Sequence, residues 1–304
     1  MRPDRDGQLC HDVGVVGGGF PDDMDAGPGQ AVSGEPERPP AEEMPMNTTV
    51  NEIADGIYRI STYVSEVGPD GFTFNQFLLD ADEPMLYHTG MKALFPLVSE
   101  AIASLVPLNR LRWVAFSHVE ADECGAVEQF LAAAPQAQVA HGAIGCMVSL
   151  NDMLSRLPRP LADGEVVELG GKQVRARRVR HVDTAHVPHN WESRVLFEEV
   201  TRTLLCGDLF TQTGNPPALT SDDIVEQAIA AENVFHFSSL APAIPATLRQ
   251  LADLRPVTLA VMHGASYRGD GESALRSLAD AYEAEFPVTR LAMDAATPSG
   301  PVMV

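Results

Sequence analysis

The apolar run Leu111-Arg112-Trp113-Val114-Ala115-Phe116-Ser117 passes directly into His118-Val119-Glu120-Ala121-Asp122-Glu123-Cys124-Gly125, which sets one imidazole and three carboxylates within six residues. The run reads as a buried strand and Val127-Glu128-Gln129-Phe130-Leu131-Ala132 as a helix, so the ionisable cluster sits on a strand-to-helix loop. Loops of that kind aim side chains into a crevice at the carboxyl edge of a sheet. Acids at a helix start can also cap free backbone N–H groups and oppose the dipole, so the octet alone leaves capping and metal ligation both open.

The rest of the chain favours ligation. His189-Asn190-Trp191-Glu192-Ser193, Leu204-Leu205-Cys206-Gly207-Asp208-Leu209-Phe210 and Val257-Thr258-Leu259-Ala260-Val261-Met262-His263-Gly264 each set His or Asp at the end or edge of a strand-like run. A local cluster cannot close a coordination sphere, whereas ligands scattered in sequence and gathered at one rim of a sheet can. An imidazole suits zinc, iron, copper or nickel and hard carboxylates favour iron, manganese, magnesium or calcium, and one His beside three acids points away from structural zinc.

This series resembles the metallo-β-lactamase fold over roughly residues 50 to 290, and within it the diiron domain of flavodiiron proteins and related oxygen-binding diiron proteins. Zinc hydrolases of that fold carry H-x-H-x-D-H in the first motif, whereas the flavodiiron pattern is H-x-E-x-D-H, and this chain has Glu120 at the discriminating place. His189 stands nineteen residues before Asp208, the spacing of that family, and His186 does not. The resemblance implies an α/β, four-layer αββα sandwich. It implies that His118, Glu120 and His189 hold one iron, that Asp122, Glu123 and His263 hold the other, and that Asp208 bridges them. The chain departs from the pattern at Glu123, where most flavodiiron sequences have His, and at His88, which takes the place of the Asp usual before Thr89-Gly90.

The resemblance further implies O2 or NO as ligand and a homodimer. Flavodiiron proteins append a flavodoxin-like domain, and the 41 residues after His263 are too few for one. No FMN is therefore expected on this chain, and reduction would draw on a separate flavoprotein or a rubredoxin-like donor. Two other readings stand beside the reductase: a non-catalytic oxygen binder or sensor with the same irons, and a zinc- or manganese-dependent hydrolase of the metallo-β-lactamase fold. His88, His186 and Tyr267 are candidates for hydrogen-bonding support around the metals, His181 flanks the same loop, and Trp191 and Phe210 are candidate pocket walls. His11, His141 and His236 read as surface or core histidines.

With 304 residues, 45% of them hydrophobic, the chain can bury a large core. A net charge of −21 disfavours nucleic acid and anionic membrane surfaces as partners. Eighteen consecutive apolar residues occur nowhere, so no transmembrane helix is expected. Cys10, Cys124, Cys146 and Cys206 form no C-x-x-C pair, which fits a reducing cytoplasm without disulfides. Residues 1–48, acidic with Gly17-Gly18-Gly19 and Pro39-Pro40, are expected to be a disordered tail, 49–290 the metal-binding domain and 291–304 a C-terminal tail. Val13 to Gly19 has no strand before it or helix after it to make a nucleotide-binding turn.

Strands are expected at 57–60, 74–79, 84–90 and 138–141, as a hairpin over 166–169 and 173–178, and at 195–197 with 203–206. Helices are expected at 92–104, 222–234, 241–254 and 271–284, and 180–189 reads as the site loop.

Overall fold

The strand-like runs pair into two seven-stranded sheets. The structure, a computed structural model, describes residues 47–170 and 175–286. The expected tails lie outside the described residues, apart from Asn47 and Thr48, the latter opening the first strand.

The first sheet runs in chain order: β1 (Thr48–Ala54), β2 (Ile57–Val64), β3 (Phe72–Leu79), β4 (Met85–Tyr87), β5 (Trp113–Ala115), β6 (Gln138–Gly142) and β7 (Arg159–Leu161). Its first four strands are antiparallel neighbours, and β4 to β7 are parallel. The second sheet comprises β8 (Val166–Glu168), β9 (Arg178–Asp183), β10 (Arg194–Glu198), β11 (Thr203–Leu205), β12 (Leu219–Thr220), β13 (Thr258–Ala260) and β14 (Ser266–Arg268), in the order β12-β14-β13-β11-β10-β9-β8. Within it β11 and β13 are parallel.

Strand alternation divides the apolar side chains into three layers of core. Phe77, Tyr87 and Ala115 of the first sheet meet Leu196, Leu205 and Ala260 of the second. Their neighbours point outward: Leu78, Leu86 and Val114 towards Val98, Ile102 and Phe130, and Leu204 and Leu259 towards Leu248, Leu251 and Leu278. Helices Phe95–Ala103, Val127–Ala133, Ile244–Ala252 and Gly271–Glu285 supply those outer layers. Proline in the first turn opens two of them, and Asp270 caps a third by accepting from Ser273 N. This is the αββα arrangement of the metallo-β-lactamase-like fold.

The expected hairpin partner of β8 lies later than the sequence indicates. β9 runs over Arg178–Asp183 and so takes the first residues of the stretch read as loop, while 171–174 lie outside the described residues. The buried face of β9 carries Val179 and His181, and a buried imidazole breaks the apolar alternation by which a strand is recognised. The helical stretch from Ala143 to Met153 and the short strands β7, β12 and β14 have no clear periodic signature at two to five residues each.

One buried amide ties the sheets together at the site. Asn75, in the middle of β3, donates from Nδ2 to the carbonyls of Val261 (2.8 Å) and Gly264 (3.0 Å), and its backbone N donates to Met262 O (3.0 Å). Asn75→Ala should leave those carbonyls short of a donor, lower stability by about 1–3 kcal/mol and loosen the chain around His263. Urea denaturation checks the first effect, and amide exchange at residues 261–264 the second.

Candidate metal centre

Five chain segments deliver the site's ionisable side chains, and four of them leave the carboxyl ends of parallel strands. His88 follows β4, His118 and Glu120 follow β5, Asp208 follows β11 and His263 follows β13, and His189 comes from the loop between β9 and β10. Asp122 and Glu123 lie on the single turn Ala121–Cys124, whose N-cap Glu120 makes no capping bond with its side chain. The chain reaches Asp208 through Gly207 at φ +56°. A Cβ there would stand 2.5 Å from Ser117 Oγ, so only glycine lets β11 turn this close to the β5 loop.

The loops are held from behind. Arg194 N donates to Ser117 O (3.0 Å), Val119 N to the Glu192 carboxylate (3.0 Å) and Gly264 N to Thr73 Oγ1 (2.8 Å). His263 Nδ1 faces Thr73 O at 2.8 Å and His118 Nδ1 faces Ser117 Oγ at 3.0 Å. Both rings thereby turn Nε2 inward.

Those inward nitrogens meet carboxylates. His118 Nε2 lies 2.8 Å from His189 Nε2, 2.9 Å from Glu120 Oε2 and 3.6 Å from Asp208 Oδ2. His189 Nε2 lies 3.1 Å from Glu120 Oε2 and 3.4 Å from Asp208 Oδ2. One donor atom from each of these four residues falls within 4.8 Å of the others. On the far side, His263 Nε2 lies 3.3 Å from Asp208 Oδ1 and 3.3 Å from Asp122 Oδ2. Asp208 is thus shared between two donor groups. Its buried Oδ1 has no hydrogen-bond partner.

This geometry fits metal ions. Two ligand atoms each about 2.1 Å from one ion and about 90–110° apart stand about 3.0–3.4 Å from each other, and the separations here, 2.8–3.6 Å, centre on that range. Converging lone pairs and an unsatisfied buried carboxylate oxygen are costly without a cation to receive them.

Glu123 is not brought into either group. Its Oε2 accepts from the backbone N–H groups of Ser117 (2.9 Å) and His118 (2.8 Å), and its Oε1 accepts from the Ser117 hydroxyl. His88 lies behind it, fully buried, with Nε2 at 3.5 Å from Glu123 Oε1 and its ring 4.1 Å from that of Tyr87. Burial lowers His88 to about 3, so it stays neutral. His186 is exposed, Tyr267 packs against the outer core, Trp191 is 54% exposed and Phe210 is buried, and none of these four lines the cavity over the donors. That cavity, about 230 Å³, is walled by Val67, Phe72, Phe74, Phe235 and Phe237, with Thr211 at its base. The phenylalanines carry no chemical signature in sequence; the only pattern they offer is the pair of Phe-x-Phe spacings, Phe72 with Phe74 in β3 and Phe235 with Phe237 at and just after the end of the helix Val225–Phe235.

The metal-free cluster titrates as a set. Burial pulls His118 down, but Glu123, Glu120 and Asp208 outweigh it and raise it to about 10. Burial also opposes the protonation of His263 and His189, yet Asp122 and Asp208 raise His263 to about 10 and Glu120 raises His189. Bonds from His118 and His189 lower Glu120 to about 2. Burial pushes Asp208 up, but His263, His118 and His189 hold it well below the usual carboxylate range.

The sequence profile of the family described as ODP family beta lactamase matches residues 72–264, from the start of β3 to the glycine after His263. The chain belongs to that family. Among solved structures, this family member shares its fold with the rubredoxin oxygen:oxidoreductase of the anaerobe Desulfovibrio gigas, at 19% identity over 77% of this chain and 62% of that one, TM-score 0.64. A flavo-di-iron protein variant from Thermotoga maritima gives 16% identity over 78% and 62%, TM-score 0.68. The flavodiiron protein from Giardia intestinalis gives 15% over 79% and 60%, TM-score 0.65. The chain spans about three-fifths of the length of each. No protein of curated function matches it. Among the described residues, no helix is long and apolar enough to cross a membrane.

Two pH effects follow for the metal-free protein. His118 and His263 hold protons in the fold that the unfolded chain releases near 6.5, so their contribution to stability is complete below pH 6.5 and is lost as pH rises through about 10. The urea midpoint of metal-free protein should fall across that window, and a midpoint that climbs contradicts the assignment. The same protons must leave when a cation enters, so calorimetry in buffers of differing ionisation enthalpy should show proton release, with affinity higher at pH 8 than at pH 6.

Proposed function

We propose that this chain is a non-haem diiron protein that binds O2 or NO at a pair of iron ions and reduces it with electrons from a separate donor protein. The observation that carries the reading is the division of Asp208, one carboxylate oxygen facing His118 and His189 beside Glu120, the other facing His263 beside Asp122. On this reading His118, Glu120 and His189 hold one ion, Asp122 and His263 the other, and Asp208 both. Family membership and a fold shared with an oxygen:oxidoreductase and with flavodiiron proteins support it. Bound iron would supply the electron transfer and Lewis acidity that reduction of either gas requires.

The chain's own residues supply the rest. Thr73 O and Ser117 Oγ hold the Nδ1 side of His263 and His118, which keeps each Nε2 lone pair directed at the centre once the imidazoles are neutral. The phenylalanines give the approach to the donors an apolar lining. Thr211, the one hydroxyl in the lining, already donates to Asp208 O at 2.7 Å. Apart from the donors themselves the lining is apolar, which suits a neutral diatomic better than an acyl or phosphodiester substrate with several polar atoms to pair.

Protein from iron-replete cells should contain about two irons per chain, and Asp208→Ala should lose the pair. Anaerobic reduction followed by pulses of O2 or NO then separates the outcomes: repeated gas consumption identifies a reductase, and a single spectral change without turnover a binder or sensor. Stoichiometric zinc with hydrolysis of an ester, thioester or phosphodiester would overturn the proposal in favour of a hydrolase.

A further inference from the structure

The two ends of the cluster are unequal. Around Asp208 Oδ2 stand three further donors, His118 Nε2, His189 Nε2 and Glu120 Oε2. Asp208 Oδ1 faces His263 Nε2 at 3.3 Å, and that nitrogen in turn faces Asp122 Oδ2 at 3.3 Å. Glu123, one residue beyond Asp122, is fully buried and its carboxylate faces the opposite way.

Four contacts hold it there. Two backbone N–H groups and the Ser117 hydroxyl donate to it, and Oε1 faces His118 Nδ1 at 3.3 Å. Its own main chain is fixed as well: Thr89 N donates to Glu123 O at 2.7 Å. Swinging the carboxylate towards Asp122 would strand two buried N–H groups and leave the Ser117 hydroxyl, the nearest partner of His118 Nδ1 at 3.0 Å, without its own acceptor. An imidazole that offers its Nε2 lone pair must keep its proton on Nδ1, and a relay there through Ser117 Oγ to the Glu123 carboxylate both fixes the ring and raises its basicity as a ligand.

We infer that Glu123 is a positioning residue for His118 and not a metal ligand, and that the Asp122–Asp208–His263 end consequently takes up its ion second, more weakly, and with coordination positions left open. This rests on the reading of the cluster as a two-metal centre. The end that includes His118 brings four donors within 4.8 Å of one another and has the Ser117 and Glu123 contacts behind its histidine, which is what favours it as the first to fill.

The test is a titration of the metal-free full chain with Co(II), followed by calorimetry and by visible d–d absorption. Two steps are expected, the first at least about tenfold tighter than the second. Asp122→Asn, at a partly exposed position, should remove the second step and leave the first. Glu123→Gln keeps an oxygen for the two backbone donors but sets an amide against His118 Nδ1. It should weaken the first step about 10–100-fold, shift the spectrum of the one-cobalt form and leave the unfolding midpoint of metal-free protein nearly unchanged. Two steps of equal affinity, or a Glu123→Gln variant that loses only the second step, would overturn the inference. If Glu123→Gln does not fold, the step order of the unaltered chain and the Asp122→Asn result decide the matter. Failure to bind any Co(II) overturns the two-metal reading itself.

Discussion

A single buried carboxylate organises this protein's functional end. Asp208 stands 6% exposed at the carboxyl end of β11, and its two oxygens see three imidazole Nε2 atoms at 3.3–3.6 Å. Those separations exceed an ordinary N–H···O bond of about 2.7–3.2 Å, and Oδ1 makes no hydrogen bond at all. In the metal-free state the arrangement is held by charge, protonated imidazoles against ionised acids. On the two-metal reading a bound cation would take the same atoms as ligands and displace the protons, and its binding free energy would add to folding stability.

The two sheets make that possible by placing their parallel strands with carboxyl ends towards one crevice. β4 and β5 deliver His88 and the His118 loop from one sheet, and β11 and β13 deliver Asp208 and His263 from the other. The crossing bonds are directional rather than apolar: Asn75 to the 261–264 carbonyls, Arg194 N to Ser117 O, and Arg59 to Gly264 O at 3.0 Å. Apolar burial between the sheets sets their separation. Hydrogen bonds fix the offset that lets residues from β5 and β11 touch.

Much of this was legible in sequence because each donor ends an apolar run of recognisable period. Leu111 to Phe116, Leu204 to Cys206 and Val257 to Met262 announce strands, and the ionisable residue after each announces a rim. β9 was not legible, because His181 on its buried face interrupts the apolar alternation and is satisfied only in three dimensions, by Asp183 at 2.7 Å and Arg194 at 3.2 Å. The direction of Glu123 was likewise hidden. A residue one step past Asp122 on a helical turn points about 100° away from it, and which of the two faces the crevice depends on how the turn docks, here through Thr89 and Ser117. The phenylalanine walls have no signature of their own, because aromatic residues beside a site look the same in sequence as aromatic residues in a core.

The direction of Glu123 also alters the charge of the centre. If all four acids ligated, two divalent ions would be neutralised; with Glu123 withdrawn, Glu120, Asp122 and Asp208 leave a net charge of about +1 on a divalent pair. Glu123 still contributes its field through His118, but from behind the ring, where Arg194 also lies within electrostatic reach and offsets it. Anionic ligands stabilise the more highly charged, oxidised state of a redox pair, and removing one from direct contact shifts the balance towards the reduced state. A neutral imidazole at position 123 would likewise leave three ligating carboxylates and about +1, so on the diiron reading the exchange to Glu123 would act through the lost ligand and the coordination position it leaves open.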